Sequence, residues 1–251
     1  MKRILIEGFI SVKSAVVSGN REIYRLLIEK SRYESVMSSK LRVGEQRRYA
    51  SLLNSGIEYE LMESSDFEKL VSGENSGGIA AEVGQRRFMT EEELLSVSGG
   101  YIAVLDGIED PFNYAYSIRS LYAAGVDAVI VPNRCFEGED ALLIRSSAGA
   151  YEQAGIFRSD DIANTCALLK EHGWYIASTA KADSAKDLNR CKLKKPLCLV
   201  FGGEKRGIKQ EIINISDTVI KLKYPRDCRY SLPACCAVSV ISFECAKKIG
   251  I

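Results

Sequence analysis

Three stretches of the chain concentrate residue types that can do chemistry. The first runs Leu105-Asp106-Gly107, then Asp110-Pro111, Asn113 and Arg119. Ala115, Ile118, Arg119 and Tyr122 fall at i, i+3, i+4 and i+7, so they share one face of a helix, and Asn113 is placed to cap it. An arginine on an apolar stripe either snorkels its head to water or has a charge to hold. The second stretch is Leu199 to Ile208, LVFGGEKRGI, an apolar run that enters a glycine loop with Glu204, Lys205 and Arg206 at its tip. At the carboxyl end of a parallel strand such a loop lines a ligand crevice, although the same pattern also makes an ordinary strand-to-helix turn. It has neither the Lys-Ser/Thr ending of a P-loop nor the GxGxxG of a dinucleotide site. The third stretch, Tyr230 to Glu244 (YSLPACCAVSVISFE), crowds small residues at a helix start, which lets backbone or ligand approach closely. Its Cys235 and Cys236 have no neighbouring His to activate them, so they read as small core filler rather than nucleophiles.

These stretches need a scaffold of alternating strands and helices. Residues 101–105, about 113–124 and 128–131 read as strand, helix and strand, a parallel βαβ unit. Residues 139–151 read as mixed helix and turn. A helix capped by Asp160 or Asp161 ends near Gly173. Strands follow at 174–178, 197–201 and 218–222, and a last helix at 234–248. This alternation predicts an α/β fold, a mostly parallel sheet with helices on both faces. The first third alternates as well: strands at 4–6, 23–28, 57–62 and 77–83, and a helix within 39–55. Capping boxes are expected at Ser65-x-x-Glu68 and Thr90-x-x-Glu93. The small residues Ser96 to Gly100 read as a linker, dividing the chain into residues 1–97 and 98–251.

Composition excludes several classes. The 251 residues are 46% hydrophobic and 27% charged, ordinary for a globular chain. No run of 18 apolar residues is present, so no membrane span is expected. The start, MKRILIEGF, is broken at Glu7 and too short for a signal peptide; with eight Cys, no CxxC and a single His172, reduced thiols, no metal site and a cytoplasmic location are expected. The net charge of +1 hides an uneven distribution: residues 181–251 carry 15 Lys and Arg against 7 Asp and Glu, and residues 98–180 carry 5 against 11. A basic last third suits a polyanion, or equally a solvated face that balances the acidic middle. Arg47, Arg48, Arg86 and Arg87 come as adjacent pairs that could contact phosphates.

Taken together, in this order and spacing, the three stretches resemble the SpoU (TrmH-like) family of the SPOUT class of RNA methyltransferases. Leu105-Asp106-Gly107, Asp110-Pro111, Asn113 and Arg119 resemble its motif 1. Gly202, Glu204 and Gly207 resemble its motif 2. The segment from Ser231-Leu232 resembles its motif 3, Ser-Leu-Asn-x-Ser, with Pro233 in place of the Asn, Cys235 in place of the second Ser and, in motif 1, Ala115 in place of a Gly. The first third resembles the ribosomal-protein-like RNA-binding module that often precedes this domain. The resemblance implies a trefoil-knotted catalytic domain and a homodimer acting on RNA. It implies transfer of a methyl group from S-adenosylmethionine to a ribose 2′-hydroxyl in structured RNA, ribosomal RNA favoured over transfer RNA. It casts Asn113, Arg119, Glu204 and Ser231 as catalytic, with Glu204 organising Arg119. It casts Phe201, Gly202, Gly203, Gly207, Ile208, Leu222, Tyr224 and Leu232 as the donor site. No metal is implied. The altered motif 3 motivates an alternative, an RNA-binding paralogue of the same fold with weakened or lost catalysis. A nucleotide-dependent oxidoreductase would need the absent GxGxxG, and a purely structural assembly factor would be indifferent to Arg119.

Overall fold

A computed structural model describes residues 3–38, 42–72, 76–98, 100–133, 136, 138–180, 185–203, 206–227 and 230–251. In chain order the elements are β1 (Ile4–Glu7), α1 (Phe9–Ser18), β2 (Ile23–Glu29), α2 (Lys30–Met37), α3 (Val43–Leu53), β3 (Tyr59–Met62), α4 (Ser64–Leu70), β4 (Ile79–Val83), α5 (Glu91–Leu95), β5 (Tyr101–Asp106), α6 (Pro111–Ala123), β6 (Ala128–Pro132), α7 (Asp140–Ser146), α8 (Ala150–Gln153), β7 (Ile156–Ser159), α9 (Ile162–Glu171), β8 (Tyr175–Thr179), β9 (Lys186–Asp187), β10 (Leu197–Gly202), α10 (Gln210–Ile215), β11 (Thr218–Lys221) and α11 (Ala234–Lys248).

The chain forms two compact units, Met1–Arg87 with Glu139–Gln153, and Phe88–Gly138 with Ala154–Ile251. The single division after residue 97 is therefore corrected in two respects. Residues 88–97 go with the second unit because Met89 bridges to Phe157 and Leu94 is fully buried in that unit's core. The α7–α8 segment goes with the first unit because it carries the partners of that unit's buried arginines. Arg21 donates from Nε to both oxygens of Glu152, at 2.9 and 3.0 Å, and from a terminal nitrogen to Asp140 at 2.6 Å. A fully buried carboxylate with its guanidinium has no tolerable alternative, since either charge alone would be stranded away from water. No sequence periodicity announces such a tie across more than a hundred residues.

In the first unit the sheet order is β1-β4-β2-β3. Strand β4 is antiparallel to both neighbours, while β2 and β3 run parallel. Leu27, Phe67 and Ala80 pack as one buried cluster, with Leu5, Met62 and Val71 against it. The expected capping box at Ser65 does not form. Helix α4 starts at Ser64 with Glu63 at its cap and no side-chain cap bond, which puts Ser65 inside the helix, while Ser64 Oγ donates to Glu29 Oε1 at 2.6 Å. The second box, Thr90 with Glu93, forms in both directions in the other unit.

The second unit holds a seven-stranded sheet in the order β7-β6-β5-β10-β8-β11-β9, with every pairing parallel. Strands β7 and β9 were not expected. Each is an edge strand of four residues or fewer, too short to impose a pattern. Alternate residues of β5 face opposite ways. Ile102 and Val104 join the core that includes Cys166, Leu169 and Ile212 of α9 and α10. Tyr101 faces the other side, where its hydroxyl donates to Ser242 O of α11 at 3.3 Å. Helices thus cover both faces, as the apolar, non-alternating runs of β5 and β10 require.

Candidate active site

The order of the sheet sets where a ligand can bind. From β5 the chain moves through α6 to β6 on one side. From its neighbour β10 it moves through α10 toward β11 on the other. The loops leaving the carboxyl ends of β5 and β10 therefore part company, and a crevice opens at such a switch point. These two loops carry the first and second stretches. Phe201 pairs in register with Leu105 and Gly202 with Asp106.

The loops meet backbone to backbone. A Cβ placed on Gly203 would lie 2.0 Å from Gly107 O, and one on Gly202 would lie 2.4 Å from the carbonyl carbon of Gly207. Gly207 holds φ +65 and donates its N–H to Gly203 O at 3.0 Å. These glycines are demanded by the packing of one turn on another, whatever else they bind. Phe201 and Ile208 are buried, and Ile208 belongs to the core cluster, so their side chains serve the core. Asp106, at the mouth of the switch point, is half-buried; burial pushes its carboxyl up, and the charge of Lys209 pulls it back. Glu204 lies outside the described residues.

Helix α6 opens with Asp110 as its cap, not Asn113. The Asp110 carboxylate accepts from Asn113 N at 2.7 Å, and Pro111 takes the first helical position, where its missing N–H is no loss. Asn113 is then freed to use its side chain elsewhere, and its Oδ1 accepts from Cys235 Sγ at 3.1 Å. The buried face of α6 is Tyr114, Ala115, Ser117, Ile118 and Leu121. Arg119 is exposed, and among the described residues no hydrogen bond or ion pair engages it. The expectation of an arginine embedded in an apolar stripe is corrected: Arg119 lies at the edge of the buried arc, beside the exposed Phe112, Tyr116 and Tyr122.

The third stretch joins from the far end of the chain. Helix α11 packs along α6, and Ser120 Oγ and Ser239 Oγ lie 2.6 Å apart between them. Before α11, Leu232 N donates to the Tyr224 hydroxyl at 3.1 Å. Tyr224 and Leu232 line a cavity of about 320 Å³ together with Pro225, Arg226 and Tyr230. That size falls within the small-molecule range of roughly 300–1,000 Å³. Pro225 and Arg226 were not singled out from the sequence, and Tyr230 opened the third stretch without a role, although two Tyr and a Pro within seven residues after a strand were a signal. Leu222, just past β11, is half-buried, and Ser231 is exposed.

The proposed phosphate contacts fare unequally. Arg47 and Arg48 are exposed on α3. Arg86 is buried, donates from Nε to Tyr151 O and from a terminal nitrogen to Arg87 O, and stacks on the Tyr151 ring. It is a structural residue, which corrects its reading as an RNA contact. Arg87 is exposed at its side chain, and its N–H donates to Asn20 O. All four belong to the first unit, and the crevice described above is built from the second. His172, the only histidine, turns Nδ1 to Leu168 O at the end of α9 and takes no part. Among the described residues no cluster of His, Cys, Asp or Glu could hold a metal ion, and no helix is long and apolar enough to cross a membrane.

With two glycine loops at a switch point and a third segment closing on them, comparison with known proteins is decisive. The model of the SpoU rRNA Methylase family matches residues 100–243. The chain belongs to this SpoU family. A relative from Staphylococcus haemolyticus, named "Putative TrmH family tRNA/rRNA methyltransferase", is 26% identical over 253 residues, covering 99% of this chain and 97% of the relative. The 23S rRNA (guanosine-2'-O-)-methyltransferase RlmB of Yersinia pestis is 30% identical over 207 residues, 80% of this chain and 83% of that one. Among solved structures, an RNA 2'-O ribose methyltransferase shares the fold at a TM-score of 0.76, with 22% identity and 98% of this chain and 88% of that chain covered. The SpoU methyltransferase AviRb of Streptomyces viridochromogenes, solved in complex with AdoMet, does so at 0.76 and 17%, over 98% and 90%. As a SpoU protein this chain is an RNA methyltransferase with an α/β, mostly parallel sheet.

Proposed function

We propose that the protein transfers a methyl group from S-adenosylmethionine to a ribose 2′-hydroxyl of structured RNA, ribosomal RNA in preference to transfer RNA. The observation that carries this reading is the convergence of three stretches from different parts of the chain: Gly203 against Gly107, and Cys235 on Asn113. RlmB of Yersinia pestis, which acts on 23S rRNA, supports the choice of RNA.

The residues present fit the donor. Tyr224 and Leu232 would hold it in their cavity, Leu222 beside them, and the backbones of Phe201, Gly202, Gly203, Gly207 and Ile208 would face it across the switch point. Bound there, S-adenosylmethionine supplies an electrophilic methyl group on a sulfonium. The chain must hold the hydroxyl oxygen in line and ease loss of its proton, and alignment alone contributes roughly 7–11 kcal/mol in a well-held site. A guanidinium offers donors and no acceptor, so Arg119 is no base. Exposed, and with no partner among the described residues, it is suited to stabilise negative charge growing on the oxygen, or to fix a neighbouring phosphate. Asn113 orients the ribose, with Glu204 and Ser231 as the other catalytic candidates. Arg47, Arg48 and Arg87 of the first unit would hold phosphates of the RNA. Phe112, Tyr116 and Tyr122 on α6, with Val240 and Phe243 on α11, leave large apolar side chains exposed on a packed helix pair, which supports a second copy of the chain there. The return of α11 to α6 supports the knotted path that the family resemblance implies.

Pro233 at the cap of α11 favours one other reading. It brings neither an amide side chain nor a backbone N–H, so an RNA-binding relative with lost catalysis would keep this fold. The test is incubation with labelled donor and ribosomal or transfer RNA, followed by mapping of 2′-O-methylated nucleotides. Tight RNA binding with no donor affinity by calorimetry would establish the second reading and overturn the first.

A further inference from the structure

The Asn113 backbone is already committed at both ends. Its N–H donates to Asp110 Oδ1 at 2.7 Å, and its carbonyl accepts from Ser117 Oγ at 2.7 Å. Only the amide side chain remains for a ligand. That amide has two faces with opposite chemistry, an oxygen that accepts and a nitrogen that donates, and a half-turn about its last bond exchanges them. Something must decide which face meets the substrate.

The Cys235 thiol touches one face. It stands at the second position of α11 and donates to Asn113 Oδ1 at 3.1 Å. An amide oxygen has no proton to give, so the thiol is the donor in this pair. Burial, with neighbouring Cys236, pushes the Cys235 thiol up, so it keeps its proton near neutrality. The geometry behind the thiol is fixed as well. Ser239 Oγ donates to Cys235 O at 2.7 Å and lies 2.6 Å from Ser120 Oγ of α6, which pins the two helices at this level. Asn113 Nδ2 has no partner among the described residues.

We propose that Cys235 is a positioning residue for Asn113: its thiol proton, held on Oδ1, turns the amide so that Nδ2 is left to donate to the oxygen of the RNA acceptor. The thiol thereby does the work of a hydroxyl at a place where the family pattern has Ser. It is no nucleophile, and it is more than core filler. The kinetic consequence rests on the methyl-transfer reading; the hydrogen bond does not.

Cys235→Ser and Cys235→Ala are compared by NMR of the Asn113 side-chain amide, assigned by its loss in Asn113→Ala, and by steady-state methyl transfer. Ser keeps a donor and Ala removes it. The expected result is that Cys235→Ser keeps the two resolved Asn113 amide-proton signals and a kcat within about twofold of wild type. Cys235→Ala shifts and broadens these signals and lowers kcat roughly tenfold, the worth of one hydrogen bond, with KM for RNA unchanged. Cys236→Ala, at the exposed neighbour, changes neither. Fluorescence of Trp174, buried in the same unit, checks that each variant is folded. The proposal is overturned if Cys235→Ala leaves the amide signals where they were, or if Cys235→Ser loses as much as Cys235→Ala. If the wild type transfers no methyl group, the proposed function fails while the amide signals still decide whether Cys235 orients Asn113.

Discussion

Replacing Gly203 with alanine puts a methyl group 2.0 Å from Gly107 O and 2.7 Å from Gly107 C. Ordinary contact begins at 3.4 Å, so the two loops must part by about 1.4 Å along that line. Neither can yield alone, because Gly202 and Asp106 pair in register at the ends of two central strands. Forced overpacking of this kind costs roughly 1–3 kcal/mol. The protein contains one Trp, and Trp174 is buried in the core of the second unit, so its emission during urea unfolding reports that unit alone. The expected result is a loss of about 1–3 kcal/mol in that transition. Calorimetry should show S-adenosylmethionine binding at least ~10-fold weaker, since a misplacement on the order of 1 Å is enough to spoil a held site. A Gly203→Ala protein with the wild-type urea midpoint and wild-type donor affinity would refute the reasoning, because the loops would then have room that the backbone distances deny.

Other substitutions separate chemistry from scaffold. Arg119→Ala should abolish methyl transfer while moving the Trp174 transition by less than ~0.5 kcal/mol, because the side chain is exposed and has no partner among the described residues; full activity would end its catalytic assignment. Arg47→Ala with Arg48→Ala should weaken RNA binding and flatten its salt dependence without loss of stability, measured by filter binding across a salt series. Arg86→Ala should do the reverse, lowering the melting temperature of the first unit, since it frees Tyr151 O and a buried ring. Glu152→Ala leaves Arg21 Nε unpaired in a buried place, with Asp140 and Gly84 O still holding the rest of the guanidinium, and should destabilise the first unit by roughly 3 kcal/mol, read by circular dichroism and by proteolysis within residues 1–87.

Much of the site was legible in the sequence because it is built from local rules. The helix after the Asp110-Pro111 turn, the glycine loop at the carboxyl end of an apolar strand, and the small residues after Pro233 that begin α11 all follow from the local sequence, and α11 runs from Ala234 as expected. The strands β5, β6, β8 and β10 follow from apolar runs buried on both faces, and β11 from a shorter one around Val219 and Ile220. Edge strands β7 and β9 do not, because a short edge owes its conformation to its neighbour more than to its own residues.

What the tertiary structure alone decided is partnership. Asn113 was expected to cap α6, but Asp110 takes that place, and only the arrival of α11 gives the Asn113 side chain its use. Cys235 looked like filler because a thiol is ambiguous until its neighbour is known. Arg86 and Arg87 are adjacent in sequence, yet burial makes one a scaffold residue and leaves the other's side chain at the surface. The α7–α8 segment joins the first unit because two of its carboxylates meet a buried guanidinium from Arg21. The common reason is physical. Helix starts, turns and strand runs are fixed by forces that act over a few residues. Burial, charge pairing and the choice of hydrogen-bond partner depend on distances between residues a hundred positions apart, which exist only once the chain has folded.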